Sequence, residues 1–264
     1  MKKKNQFNAS QIKRYSRHIA LRNIGGNGQK KLLGAKILIV GAGGLGSPLI
    51  LYLAATGIGN IGIIDHDKVT ISNLQRQIIY ETKDLNKFKV DVAFRKIKAL
   101  NPDIKIKKYK YRLEKNNIYS LLDQYDIIAD GSDNFSTRYL LNEACFLKKK
   151  ILVSAAINKF EGQLTTFKPF LNKKSTNSKH PCYKCIYPNQ EKDLNSNCAN
   201  DGVFSILAGI VGSMQANEVV KEYLSIGNGL SGKLVIFNAL TFEMKKISIL
   251  PNRYCKICSR LNGK

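Results

Sequence analysis

The sequence predicts an α/β protein built on a doubly wound sheet, and three successive patterns carry this prediction. An apolar run at 36–40 is typical of a buried parallel strand. It leads into a G-x-G-x-x-G spacing over residues 41–46, and then into an apolar segment at 48–56 that suits a helix. A second apolar run follows at 61–64. Strand, glycine turn, helix and second strand in this order indicate a Rossmann-like fold.

The glycine turn has the composition of a phosphate-binding loop. Gly41, Gly43 and Gly46 allow a tight turn and close approach of the backbone, and the following helix offers unpaired N–H groups at its first turn. Asp65 follows Gly46 by 19 residues, where such sites carry the carboxylate that binds a ribose hydroxyl. These features predict a nucleotide site. The alternative is a tight βα turn that binds nothing.

Residues 10–22 suit a helix before this unit, with Ser10 as its N-cap. Arg14 and Arg17 lie one turn apart on that helix. From the residues alone, they are interpreted as part of a solvated basic face.

The polar connector at 67–77 leaves the second strand at its carboxyl end, where ligands bind in open α/β sheets. Asn73 and Arg76 have the chemistry to reach a phosphate there, and an ordinary loop is the alternative. Lys89 opens a helix that ends near Asn101. A lysine is disfavoured at a helix N-terminus, so Lys89 either binds an anion or is solvated.

An alternating strand at 104–109 and a buried strand at 125–130 continue the parallel pattern. The second strand runs into a loop that contains Asp133, followed by a helix at about 135–148. Asp133 is either the cap of that helix or a functional carboxylate. Cys145 is interpreted as a small core residue.

The sheet is expected to turn antiparallel in its second half. Only eight residues separate a strand at 151–154 from the next strand at 163–167, too few for a parallel crossover. An exposed loop, a long apolar helix and two further strands follow, at 171–181, 203–224, 233–238 and 244–249.

Four cysteines form two C-x-x-C pairs separated by 69 residues: Cys182, Cys185, Cys255 and Cys258. Each pair supplies two ligands of a closed tetrahedral zinc site, which would connect two distant segments. A redox pair and an iron–sulfur cluster are the alternatives. Cys198 differs, because it lies in a polar segment before the long helix. It is either an exposed thiol with a stabilised thiolate or an incidental loop residue.

Composition restricts the class of protein. The chain has 264 residues, and its 43 Lys and Arg against 19 Asp and Glu give a net charge of +24. The basic residues are scattered and no nucleic-acid-binding module is recognisable, so we expect no nucleic acid partner. We interpret the charge as compositional bias, although a basic surface would attract an acidic protein. We also expect a cytoplasmic protein with no membrane partner, because no apolar segment suits a membrane span or a signal peptide.

The chain resembles the ThiF/MoeB/HesA family, the bacterial relatives of ubiquitin-activating enzymes, from about Arg14 to Cys258. The motif R-Y-S-R-H-I at 14–19 is similar to the N-terminal motif of that family. The glycine loop, S-N-L-Q-R-Q at 72–77, G-S-D-N at 131–134 and the two C-x-x-C pairs match in the same order. The S-N-L-Q-R-Q motif is specific, because a dehydrogenase has no use for it.

The resemblance implies ATP-dependent adenylation of the C-terminal glycine of a ubiquitin-like sulfur carrier that ends in Gly-Gly, in molybdopterin or thiamine thiazole synthesis. It also implies a homodimer in which Arg17 reaches the site of the partner subunit. Asp133 would hold Mg²⁺, and Arg76 and Lys89 would bind phosphates. The nucleotide-binding set implied by the family motifs is Gly41, Gly43, Gly44, Gly46, Asp65, Ser72, Asn73, Leu74, Gln75, Arg76, Lys89, Asp133 and Asn134.

Cys198 aligns with a cysteine that takes part in sulfur transfer in the thiamine branch and is dispensable in the molybdopterin branch. No sulfurtransferase domain follows Cys258, so a separate sulfurtransferase or cysteine desulfurase is expected to supply the sulfur. The resemblance implies one adenylation domain over 1–264, with a helix at 10–22, a nucleotide-binding half at 34–154 and a carrier-binding and zinc half at 155–264. An NAD-dependent oxidoreductase and a non-catalytic carrier-binding scaffold are the alternatives.

Overall fold

The computed structural model describes residues 7–172, 180–188 and 202–261. Within them the strands form one eight-stranded sheet in the order β3-β2-β1-β4-β5-β6-β7-β8. The strands are β1 (Lys36–Val40), β2 (Asn60–Ile64), β3 (Lys105–Tyr109), β4 (Ile127–Asp130), β5 (Ile151–Asn158), β6 (Glu161–Phe167), β7 (Lys233–Asn238) and β8 (Met244–Ser248). The first five strands pair in parallel, and the remaining pairs are antiparallel. The predicted fold class is confirmed.

The helices in the described ranges are α1 (Ala9–Ile19), α2 (Gly25–Gly34), α3 (Gly46–Thr56), α4 (Lys89–Leu100), α5 (Ile118–Leu122), α6 (Phe135–Leu147), α7 (Tyr183–Ile186) and α8 (Ser205–Leu224). Helix α1 begins at a capping box between Asn8 and Gln11, so the prediction that Ser10 is the N-cap is wrong. Among these residues no helix combines the length and apolarity that a membrane span requires.

Both faces of the sheet are covered at its central strands. Ile37 and Ile39 of β1 contribute to a core with α3, α4 and α8, whereas Leu38 and Val40 contribute to a second core with α5 and α6. Because side chains alternate along a strand, a central strand buried on both faces has a continuous apolar sequence. This is why the run at 36–40 predicted its strand correctly.

The change to antiparallel pairing occurs at a tight hairpin between β5 and β6. Asn158 pairs with Glu161, which leaves two residues for the turn, and Lys159 adopts a positive φ of 50°. Strand β5 extends four residues beyond its predicted end at Ser154, because β6 pairs with it over its whole length.

Helix α1 lies at the end of the sheet opposite the glycine loop. The Tyr15 hydroxyl accepts a hydrogen bond from Asn101 Nδ2 at 2.9 Å, and the same nitrogen donates to the Ala54 carbonyl at 2.9 Å. Arg14 donates to the Leu100 carbonyl at 2.8 Å, so Arg14 is not simply solvated. These contacts dock α1 against the carboxyl ends of α3 and α4, while the amino ends of both helices face the cleft described next.

Candidate nucleotide site and cysteine cluster

A cleft of about 1170 Å³ opens at the carboxyl ends of β1, β2 and β4. Its walls contain the glycine loop, the connector after β2, the start of α4 and the loop before α6. The predicted site residues on these walls are Gly41, Gly43, Gly44, Asp65, Ser72, Gln75, Arg76, Lys89, Asp133 and Asn134. Sequence segments far apart in the chain therefore meet where open α/β sheets bind ligands.

Two glycines of the loop are required by the backbone itself. Gly41 has φ of 88°, and a Cβ there would lie 2.9 Å from the Gly131 carbonyl oxygen. A Cβ at Gly46 would overlap the Gly41 carbonyl oxygen. Gly43 instead has room, since its nearest neighbour would be Gln77 Nε2 at 3.8 Å. Gly41 and Gly46 shape the turn, and Gly41, Gly43 and Gly44 border the cleft.

This difference gives a stability prediction. Gly46→Ala should lower the free energy of unfolding by about 2 kcal/mol or more, because the backbone must move to admit the methyl group. Gly43→Ala, the matched control, should leave stability nearly unchanged. Chemical denaturation of both variants measures the effect. Equal stability of the two would contradict the conclusion that the turn requires a glycine at position 46.

Asp65 ties the second strand to the glycine loop. Its carboxylate accepts hydrogen bonds from the backbone N–H groups of Ala42 and Asp67, each at 2.8 Å. Burial raises the pKa of Asp65, while the nearby charge of Lys89 and the two hydrogen bonds oppose that rise. Each carboxylate oxygen keeps a second lone pair that can accept from a ribose hydroxyl.

Lys89 is buried, and the interpretation as a solvated lysine is wrong. Its side chain is 6% exposed, and its Nζ lies 2.9 Å from Asp67 Oδ2. Burial acts to raise the pKa of Asp67, but its hydrogen bond with Lys89 and the Lys89 charge lower it overall. The nearby carboxylates offset the unfavourable position of a lysine at the first residue of α4. Sequence reasoning missed Asp67, although it lies two residues after Asp65 on the same connector.

The connector at 72–77 is a compact turn. Thr70 N donates to Asn73 Oδ1 at 3.2 Å, and Arg76 donates to the Ser72 carbonyl at 3.0 Å. Ser72, Gln75 and Arg76 line the cleft, whereas Asn73 and Leu74 are not on its wall. Leu74 packs against the hydrophobic core instead.

Asn134, not Asp133, caps α6. Asn134 Oδ1 accepts from Thr137 N at 2.9 Å, so the interpretation of Asp133 as the helix cap is wrong. Asp133 is exposed in the cleft, with Asn134 Nδ2 3.3 Å from its Oδ1. The buried carboxylate of Asp130 fixes this loop, because it accepts from Ser132 N at 3.0 Å and from Ser154 Oγ at 2.9 Å. Exposed carboxylate oxygens are ligands that Mg²⁺ prefers, so Asp133 suits that ion.

Arg17, like Gly46, Asn73 and Leu74, is not on the cleft wall, and it is exposed on α1. Cys198 lies outside the described residues. Sequence reasoning in turn missed Arg112, Arg138 and Lys184, which line the cleft from separate segments.

The four cysteines converge on one point. The Sγ atoms of Cys182 and Cys255 are 3.5 Å apart, those of Cys185 and Cys258 are 3.3 Å apart, and those of Cys182 and Cys185 are 3.8 Å apart. Tetrahedral zinc with bonds of about 2.3 Å separates its sulfur ligands by about 3.8 Å. The set of donors and their spacing fit a structural zinc ion.

Loss of this site should cost stability. Structural zinc contributes roughly 10–16 kcal/mol in peptides without another core, and we expect a fraction of that here. Cys182→Ser should abolish binding of one zinc per chain and lower Tm by about 5–10 °C. Cys145→Ala, at a buried cysteine outside the cluster, should keep its zinc. Elemental analysis and thermal unfolding measure both effects, and iron or no metal in the intact protein would contradict the zinc assignment.

The fold and the cleft define an α/β protein with a candidate nucleotide site and a four-cysteine cluster. The chain belongs to the ThiF family, whose profile matches residues 15–257. It is 39% identical over 255 residues to a sulfur carrier protein adenylyltransferase of Thermus thermophilus, with 96% of this chain and 93% of that protein covered. It is also 39% identical to the SAMP-activating enzyme E1 of Haloferax volcanii, with 96% and 90% covered. The crystal structure of Escherichia coli MccB with MccA-N7isoASN shares the fold, at a TM-score of 0.78, 22% identity, and 95% and 75% coverage.

Proposed function

We propose that this protein uses ATP to adenylate the C-terminal glycine of a ubiquitin-like sulfur-carrier protein and releases pyrophosphate. One observation carries the proposal: Arg76 and Lys89 line the same cleft as the glycine loop in a ThiF-family chain. The named activity of the Thermus thermophilus relative supports the same reaction. No relative named above is an oxidoreductase, so an NAD-dependent activity has no support beyond the glycine spacing.

The reaction requires two anions to approach each other. An oxygen of the carrier carboxylate forms a bond to the α-phosphorus of ATP, and the bond from that phosphorus to the bridging oxygen breaks. Pyrophosphate then leaves with the bonding electron pair. No proton transfer is needed, so the protein contributes orientation and charge neutralisation. Arg76 and Lys89 supply positive charge, Asp65 orients the ribose, and Asp133 would hold Mg²⁺, which neutralises phosphate charge when bound.

We further propose a homodimer in which Arg17 completes the site of the partner subunit. Helix α3 separates the glycine loop from the region where α1 docks, and its 11 residues span about 16 Å. The exposure of Arg17 at that far end supports action on another subunit rather than on its own cleft.

The sulfur step follows adenylation and involves a separate sulfur donor. In this proposal a nucleophilic sulfur displaces AMP from the activated carboxyl group and leaves a thiocarboxylate precursor on the carrier. The pathway is molybdopterin or thiamine thiazole synthesis, and the transfer role of Cys198 and the cytoplasmic location both stay predictions.

Exchange of labelled pyrophosphate into ATP tests the proposed function. Exchange should require Mg²⁺ and a carrier ending in Gly-Gly, and a carrier without its final glycine is the matched control. Reduction of NAD by the protein, or no exchange with any such carrier, would contradict the proposal.

A further inference from the structure

The cleft extends beyond the predicted nucleotide-binding residues. Beyond them it continues along α6 towards the first cysteine pair, where its walls include Tyr139, Asn142, Glu143 and Lys184. Asn142 lies on α6, eight residues after the N-cap Asn134, which corresponds to about 12 Å along the helix. An extended peptide covers about 3.3–3.6 Å per residue, so three or four residues would bridge this length.

Lys184 is held firmly at this far end. It lies between Cys182 and Cys185, and the neighbouring Tyr183 N donates to Asn142 Oδ1 at 2.8 Å. The Tyr183 ring packs edge-on against Tyr139, with centroids 5.3 Å apart. Lys184 Nζ lies 5.9 Å from the centroid of the Tyr139 ring, and no carboxylate in the described ranges forms an ion pair with it. The lysine therefore lines the cleft without an ion-pair partner among the described residues.

Asn142 supplies a second, independent observation. It is only 2% exposed, and its Oδ1 is used by Tyr183 N, which fixes the orientation of the amide. Its Nδ2 has no hydrogen-bond partner within the described part of the chain. A buried donor without an acceptor is rare and costs free energy. Because Asn142 is on the cleft wall, an acceptor that binds in the cleft would satisfy this nitrogen.

We propose that Lys184 and Asn142 donate hydrogen bonds to main-chain carbonyl oxygens of the carrier tail, within four residues of the reacting carboxylate. This rests on the proposed function. A Gly-Gly tail offers no side chain for recognition, so its binding depends on main-chain groups and on a narrow wall such as the Tyr139 ring. An ammonium and an amide nitrogen both suit carbonyl oxygen.

Steady-state exchange at varied carrier concentration tests this assignment. The probe is a ubiquitin-like carrier ending in Gly-Gly, and the variants are Lys184→Met and Lys256→Met. Lys256 also lies between two cysteines, one position earlier in the second pair than Lys184 in the first, and it is exposed and off the cleft wall. Loss of a charged donor should raise KM for the carrier about ten- to hundred-fold in Lys184→Met, with KM for ATP and zinc content unchanged. Lys256→Met should behave as wild type, and Lys184→Arg should recover most of the affinity.

A second variant keeps the test independent of the cysteine cluster. Asn142→Asp retains the acceptor for Tyr183 N but removes the Nδ2 donor, so it should also weaken carrier binding measured by titration calorimetry without nucleotide. Unchanged carrier KM in Lys184→Met with zinc retained, or unchanged carrier affinity in Asn142→Asp, would overturn the inference while leaving the proposed function intact. No exchange by the wild-type protein would instead refute the proposed function.

Discussion

Lys89→Met should lower the rate of pyrophosphate exchange about 100- to 1000-fold, the loss expected when one preorganised donor to developing charge is removed. Lys89 is nearly buried on the cleft wall, so water cannot readily replace its ammonium. The fold should survive, because Asp67, its partner, is half exposed and can be hydrated. Exchange assays at saturating ATP and carrier measure the effect.

Lys87→Met is the matched control for this substitution. Lys87 lies two residues earlier in the chain, is exposed, and is not on the cleft wall. Its exchange rate should stay near that of the wild type. Equal exchange rates for the Lys87 and Lys89 variants would contradict a role for Lys89 in the reaction.

Arg17→Ala and Asp133→Ala should each abolish most exchange as homodimers, yet regain activity when mixed. Each composite site of a two-fold dimer would take Arg17 from one chain and Asp133 from the other. Random pairing makes half of the dimers mixed, each with one intact site, so about one quarter of all sites should work. Exchange activity measured after proven subunit exchange tests this arrangement.

The control mixes Arg76→Ala with Asp133→Ala. Both residues lie in the same cleft of one chain, so each cleft of a mixed dimer lacks one of them and this mixture should stay inactive. If the Arg17 mixture stays as inactive as this control, Arg17 acts within its own chain or has no role. Full activity of Arg17→Ala alone would support the interpretation of Arg17 as part of a solvated basic face.

The fold was largely predictable because its central strands are buried on both faces. The apolar runs at 36–40 and 61–64 needed no long-range information, and the short connection after Ser154 forced an antiparallel turn. Helix α2 was missed because glycines at 25, 26 and 28 lower its intrinsic propensity. It forms because Leu32 and Gln29 are buried by tertiary packing.

The sequence motifs of the site were predictable, but the contacts between its side chains were not. The S-N-L-Q-R-Q and G-S-D-N segments identified the cleft residues Arg76 and Asp133, whereas the pairing of Lys89 with Asp67 joins positions 22 residues apart. No local pattern encodes such a contact. For the same reason Lys184 was passed over as the residue between two cysteines, since its position in the cleft depends on where α6 and the cysteine cluster meet.

Transfer of label from ATP to the carrier tests the central claim most directly. Incubation with ATP labelled at the α-phosphate should label the carrier, whereas ATP labelled at the γ-phosphate should not. Amidation of the C-terminal glycine should prevent labelling, because the attacking carboxylate is then absent. Label arriving from the γ-phosphate, or α-label on a carrier with an amidated terminus, would contradict adenylation of the terminal carboxylate.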